Sequence, residues 1–127
     1  MSTHGHFHWN ELMTRDTEAA KKFYGELMGW TFEPWQMEAG TYWVCKMGDA
    51  PVGGIFDMNG PDFEGVPAHW FSYLHVDDVD GRTERALAMG GELLRPIFDV
   101  PTIGRIALVK DPTGAALGWI TPADAGQ

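Results

Sequence analysis

Residues His69 to Gly91, HWFSYLHVDDVDGRTERALAMGG, read as a strand that runs directly into a helix. Trp70 to Val76 is aromatic and β-branched, the composition that suits a pleated, half-buried surface. Asp78 can cap a helix from about Val79 to Met89, with Val79, Ala86 and Leu87 as its buried residues, and Gly90 or Gly91 supplies the stop. The same order occurs earlier: strand Phe7 to Met13, a helix capped by Thr14 or Asp16 and running to Met28, then Gly29. Setting Asp16 against Asp77 brings Met28 against Met89 and Gly29 against Gly90. One inserted residue then sets Pro34 opposite Pro96 and Asp49 opposite Asp111.

Each helix is followed by three strand-like runs separated by turn residues. In the first half these are Trp30 to Trp35, with Pro34 marking an edge, Thr41 to Met47 after a turn at Ala39 and Gly40, and Val52 to Phe56. Gly53 and Gly54 there permit a bulge or a close approach. In the second half they are Glu92 to Val100, Arg105 to Val109 and Ala115 to Ile120. The stretch MNGPDFEGVPA, residues 58–68, holds two Gly and two Pro and separates modules 6–57 and 69–122. A βαβββ module of this size does not close a stable core alone, so the two should pair within one domain. The expected fold class is α+β, with curved mixed sheets around a cleft and the helices on the outer faces.

The first helix should bury Ala20, Phe23, Tyr24 and Leu27 and carry a Glu18–Lys22 pair outside. Met1 to Gly5 and the tail after Pro122 read as frayed ends, so the alternating His4, His6 and His8 are assigned to a mobile terminus and not to a metal tract. Asp77, Asp78 and Asp80 complement a helix dipole, and Arg105 anchors a turn or pairs with a carboxylate.

A net charge of −9 repels nucleic-acid phosphates and anionic lipid and favours neutral or cationic ligands. One cysteine, Cys45, forms no internal disulfide and suits a reducing compartment. With no bilayer-length apolar run and no signal pattern, the expected location is cytoplasmic. Six tryptophans exceed what a small core needs, which points to aromatic side chains lining a site.

The motifs TRDTEAAKKFYGELMGW, PAHWFSYLHVDDVD, AMGGELLRP and GRIALVKDPTGA, in this order from about Phe7 to Pro122, resemble the vicinal oxygen chelate superfamily of glyoxalase I, extradiol dioxygenases and bleomycin resistance proteins. The resemblance implies paired βαβββ modules, a cup-shaped cleft and a homodimer or swapped modules. It also implies a divalent metal held by side chains from strands one, four, five and eight. The matching positions are Trp9, Phe56, Phe71 and Gly118, none of which offers a metal donor, so no metal and no other cofactor is expected. A displaced set of Glu11, His69, His75 and Asp57 is the alternative, yet His69 and His75 stand about 20 Å apart along one strand.

The expected ligand-binding residues are therefore Trp9, Glu11, Phe56, His69, Phe71 and Tyr73, an aromatic lining with a few polar handles. Such a lining suits a flat or cationic organic molecule, by stacking and cation–π contact. The plain competitor is that these rings only fill the interior. The leading expectation is a small-molecule binding protein, as the resemblance to the bleomycin resistance proteins implies. Whether it catalyses anything is left open. The alternative is a metal-dependent lyase, isomerase or dioxygenase, or a metal-independent catalyst with Glu11 or His69 as general base. A purely structural partner protein has little behind it.

Overall fold

The computed structural model describes residues 3–37 and 40–123. Ala39 of the expected turn and the last residues of the tail lie outside them. The order of elements is the α+β pattern of two βαβββ modules, the second with one strand split. Two compact units result: Trp9–Phe71, and the described residues among 1–8 and 72–127.

In the Trp9–Phe71 unit the elements are β1 (Phe7–Thr14), α1 (Thr17–Met28), β2 (Thr31–Met37), β3 (Gly40–Met47) and β4 (Ala50–Asp57). The strands lie in the order β2-β3-β4-β1, with β1 parallel to β4 and the other pairs antiparallel. Pro34 sits on β2 at the edge of this order, where its missing N–H breaks no ladder. Asp16 caps α1 by accepting from the Ala19 N–H at 3.0 Å, and Gly29 ends it with φ 77°. Beneath the helix, Leu12, Cys45 and Ile55 form the core, and α1 reaches it through Ala20 and Tyr24.

That contact is narrower than the sequence period suggests: Phe23 and Leu27, expected inside, are 55% and 60% exposed. Glu18 pairs with Lys21 at 2.8 Å, not with Lys22, because the Lys21 ammonium also lies 3.3 Å from the Trp43 ring centroid. The register shifts between Cys45–Gly53 and Lys46–Pro51, beside the two glycines of β4, and both glycines make the close approach expected there, Gly53 to the Asn10 carbonyl and Gly54 to the Tyr42 ring. Residues 58–68 are anchored to the body of the unit. Met58 is fully buried, Pro61–Phe63 makes a 3₁₀ turn, and the Arg15 guanidinium donates to the Phe63 and Val66 carbonyls.

The other unit holds the end of β5 (His69–His75), α2 (Val79–Ala88), β6 (Glu92–Leu93), β7 (Phe98–Val100), β8 (Gly104–Lys110) and β9 (Ala116–Pro122). The order is β5-β9-β8-β6, and β7 also pairs with β8. The single strand expected over Glu92 to Val100 is thus two short ones. Pro96, which has no N–H to give the ladder, lies in the gap between them. Asp78 caps α2 from the Gly81 N–H, and Val79 packs with Val76, Ala107 and Val109. Leu87, expected inside, is exposed, whereas Thr83 is buried and accepts the Trp119 indole N–H at 3.0 Å.

Residues 3–6 are held, where fraying was expected. Gly5 N–H donates to the His75 carbonyl at 2.7 Å, His75 N–H to that of His6 at 2.8 Å, and Asp77 N–H to His4 Nδ1 at 3.0 Å. Arg105 pairs with carboxylates, giving two hydrogen bonds of 2.9 Å to Asp80 and one of 2.8 Å to Asp99. Hydrogen bonds from Arg105 to Asp80 and from Arg82 to Asp77 hold both carboxyls below the ordinary carboxylate range. A depressed folded-state pKa contributes stability above the ordinary value of 3.8, and that contribution is lost as pH falls through the folded value. Arg105→Gln should therefore lower Tm near pH 7, and the gap from the parent should close at the acid end of thermal melts taken down to about pH 2. A gap independent of pH would assign Arg105 a packing role. Among the described residues no helix is long and apolar enough to cross a membrane.

Candidate functional site

Strand alternation in the Trp9–Phe71 unit sorts the side chains into two sets. Leu12, Trp43, Cys45 and Ile55 turn toward α1. Trp9, Glu11 and Met13 on β1, and Tyr42 and Val44 on β3, therefore take the opposite face. Register extends this face: Trp35 lies beside Tyr42, Glu33 beside Val44, Gly54 beside both Glu11 and Val44, and Phe56 beside Met13.

On this face three side chains form one hydrogen-bonded chain. Trp9 Nε1 donates to the Tyr42 hydroxyl at 2.8 Å, and the Tyr42 hydroxyl in turn bonds the Glu11 carboxylate. Glu11 is only 8% exposed. Burial, then the negative charge of Glu11, push the Tyr42 hydroxyl far above its ordinary pKa, so it stays protonated as the donor to Glu11. Gly54 makes this placement possible, since a Cβ there would lie 1.8 Å from the Tyr42 hydroxyl oxygen. Nearby on the face, Trp35 Nε1 donates to Glu33 at 2.6 Å, with the Lys46 ammonium 3.6 Å from the same carboxylate. These two contacts hold Glu33 below the ordinary carboxylate range, the Trp35 hydrogen bond contributing most.

Of the residues expected at a site, Trp9 and Glu11 come together through Tyr42. The Phe56 ring packs edge-on to Phe63 at 5.6 Å. His69 lies 6.2 Å from the ring of Phe71, which is itself buried, and places Nδ1 2.8 Å from the Pro67 carbonyl. That oxygen can only accept, so Nδ1 carries the proton there. Tyr73 lies beside Gly118 in the other unit, half-buried.

A family model, the Glyoxalase/Bleomycin resistance protein/Dioxygenase superfamily, matches residues 5–118. The chain belongs to this superfamily. It is 40% identical over 116 residues to "Putative glyoxylase CFP32" of Mycobacterium tuberculosis, covering 91% of this chain and 43% of that protein. It is 32% identical over 123 residues to "Anthracycline biosynthesis protein DnrV" of Streptomyces peucetius, covering 85% of this chain and 44% of that protein. The chain thus spans less than half the length of these relatives. Its fold resembles the crystal structure of methylmalonyl-CoA epimerase from Mycobacterium tuberculosis with a TM-score of 0.67 at 14% identity, covering 98% of this chain and 93% of that one.

The metal that the superfamily resemblance implies does not fit the residues at its positions. The Trp9 indole N–H is a donor directed at Tyr42, Phe56 and Phe71 present hydrocarbon rings, and Gly118 has no side chain. In the displaced set, Asp57 accepts from the Asn59 backbone and side chain, His69 bonds Pro67, and the His75 ring lies 2.9 Å from the Thr3 hydroxyl. Among the described residues no three His, Cys, Asp or Glu side chains form a group able to hold a metal ion.

Sequence reasoning missed Tyr42, Trp35 and Glu33 as members of this superfamily chain's aromatic face, although the close approach it allowed at Gly54 is the one that admits Tyr42. One usable signal was present. Period-2 alternation through TYWVCKM sets Tyr42 opposite in facing to Trp43 and Cys45, but its partner on β1 depends on register between distant strands.

Proposed function

We propose that this chain is a small-molecule binding module of the superfamily, without the usual metal or any other cofactor, that takes a flat or cationic organic ligand on the Trp9–Tyr42–Glu11 face. The observation that carries this reading is the hydrogen-bonded chain ending on a buried carboxylate amid aromatic rings. Ring faces supply stacking and the carboxylate supplies a counter-charge, each cation–π contact contributing about 0.5 to 2 kcal/mol. The relative named for anthracycline biosynthesis supports a planar ligand, since anthracyclines are polycyclic aromatics. Membership of the superfamily supports a homodimer and the single Cys45 a reducing, cytoplasmic setting, while the net charge of −9 weighs for a small-molecule partner and against nucleic acid or an anionic membrane surface.

Titration with an anthracycline should give saturable quenching of tryptophan fluorescence, and Trp9→Ala should weaken the affinity about tenfold, the equivalent of ~1.4 kcal/mol. An unchanged affinity would return Trp9 to a structural role. Protein purified without a His tag should carry no stoichiometric metal. Near-stoichiometric iron, zinc or nickel, with an activity lost to a chelator, would establish the metal-dependent lyase, isomerase or dioxygenase instead.

A further inference from the structure

We propose that the outer flank of α1 is where two copies of this chain meet, paired about a two-fold axis. The inference builds on the homodimer proposed above and not on its ligand. Phe23 and Leu27 lie one turn apart on α1, 55% and 60% exposed, because the core beneath takes only Ala20 and Tyr24 from this helix. Around them the rings of Phe23, Tyr24, Trp30 and Trp70 follow in series, with centroids 5.0, 5.3 and 6.4 Å apart. Trp70 is itself 42% exposed, and its indole N–H donates to the Tyr24 hydroxyl at 3.2 Å. The polar ends of these two rings thus meet each other, and the outward surface is hydrocarbon. Met28 and Met47, both about half exposed, continue it past the helix end, where a Cβ at Gly29 would lie 3.9 Å from Met47 Cε.

Together these exposed side chains present on the order of 500 Å² of apolar surface, over half of the ~800 Å² that each partner gives to a standard interface. Charge and length decide what covers it. Helix α1 sets Glu18 and Glu26 against Lys21 and Lys22, a neutral element in a chain of net charge −9, so two copies meet here with less repulsion than across acidic surface. Beside the apolar strip, Lys22 and Glu26 stand one turn apart and exposed. Two-fold pairing of antiparallel helices brings each against its opposite, Lys22 against Glu26 of the partner subunit and Glu26 against Lys22 of the partner subunit. The strip is therefore complementary to itself. The relatives from Mycobacterium tuberculosis and Streptomyces peucetius extend beyond the matched part by more than the length of this chain, room for a second unit of its size. A chain of this length presents a second unit by pairing with its own copy.

Sedimentation velocity of the full chain at micromolar concentration should give twice the mass of one chain. Leu27→Glu, at a position exposed in the folded chain, should leave circular dichroism and Tm in place and weaken dimerisation about a hundredfold. The charged pair tests the two-fold geometry itself. Lys22→Glu and Glu26→Lys should each shift the protein toward monomer, the two variants mixed should form a heterodimer, and both changes in one chain should restore the dimer. If Leu27→Glu fails to fold, these two surface variants decide. Dimerisation that resists Leu27→Glu, or that none of the charge variants alters, overturns the placement on α1 and leaves the homodimer standing. A parent chain that stays monomeric overturns both and assigns the patch to a different partner.

Discussion

Gly54→Ala should cost about 2 to 6 kcal/mol of stability and remove ligand binding at the Trp9–Tyr42–Glu11 face, although it adds one methyl group. That methyl would lie 1.8 Å from the Tyr42 hydroxyl oxygen, 2.2 Å from Cζ and 2.6 Å from Cε2. No rotation of the hydroxyl relieves contacts with three atoms of the ring system, so the whole side chain must leave. Its departure strips the Trp9 indole of the acceptor it holds at 2.8 Å and strips Glu11 of the Tyr42 hydroxyl. Overpacking of this kind costs ~1 to 3 kcal/mol, and a buried polar group left without its partner about 1 to 3 more. A double-mutant cycle isolates the cause. In a Tyr42→Ala background the alanine at position 54 meets no phenol, and its cost should fall by more than half in urea unfolding. Equal costs in the two backgrounds would place the damage in the β1–β4 pairing instead of the phenol.

The parts legible in the sequence were those set by neighbours along the chain. Asp16 and Asp78 announced the helix starts and Gly29 one stop, because a cap is satisfied within a few residues of itself. Alternation likewise placed Trp9 and Glu11 on one face of β1. Less legible was anything decided by width or by distant pairing. The helical period told which residues of α1 share a side, but Ala20 and Tyr24 alone reach the core, leaving Phe23 and Leu27 outside. Tyr42 met Trp9 of β1 across 33 residues of chain, which no local pattern encodes, and Trp35 came with it as its neighbour in the β2–β3 hairpin. Pro96 was visible throughout, yet its consequence, β6 and β7 in place of one strand, depended on both pieces finding β8.

Ile55→Ala should be the most damaging truncation beneath α1, and Cys45 reports it. Ile55 is fully buried, with Leu12 beside it on β1 and Trp43 beside it on β3, and it packs against Cys45. Strands flank it on both sides, so the surrounding backbone has little room to collapse into the space vacated. Truncations of this kind cost about 2 to 5 kcal/mol. The chain contains one cysteine, and burial pushes its thiol up to about 11. Only the thiolate attacks a maleimide or disulfide reagent, so modification of Cys45 waits for this core to open. With ~1.4 kcal/mol for each factor of ten, a 3 kcal/mol loss should speed native-state labelling of Cys45 about a hundredfold. A lower Tm with an unchanged labelling rate would mean that Cys45 opens through local fluctuation of β3, separately from the packing around Ile55.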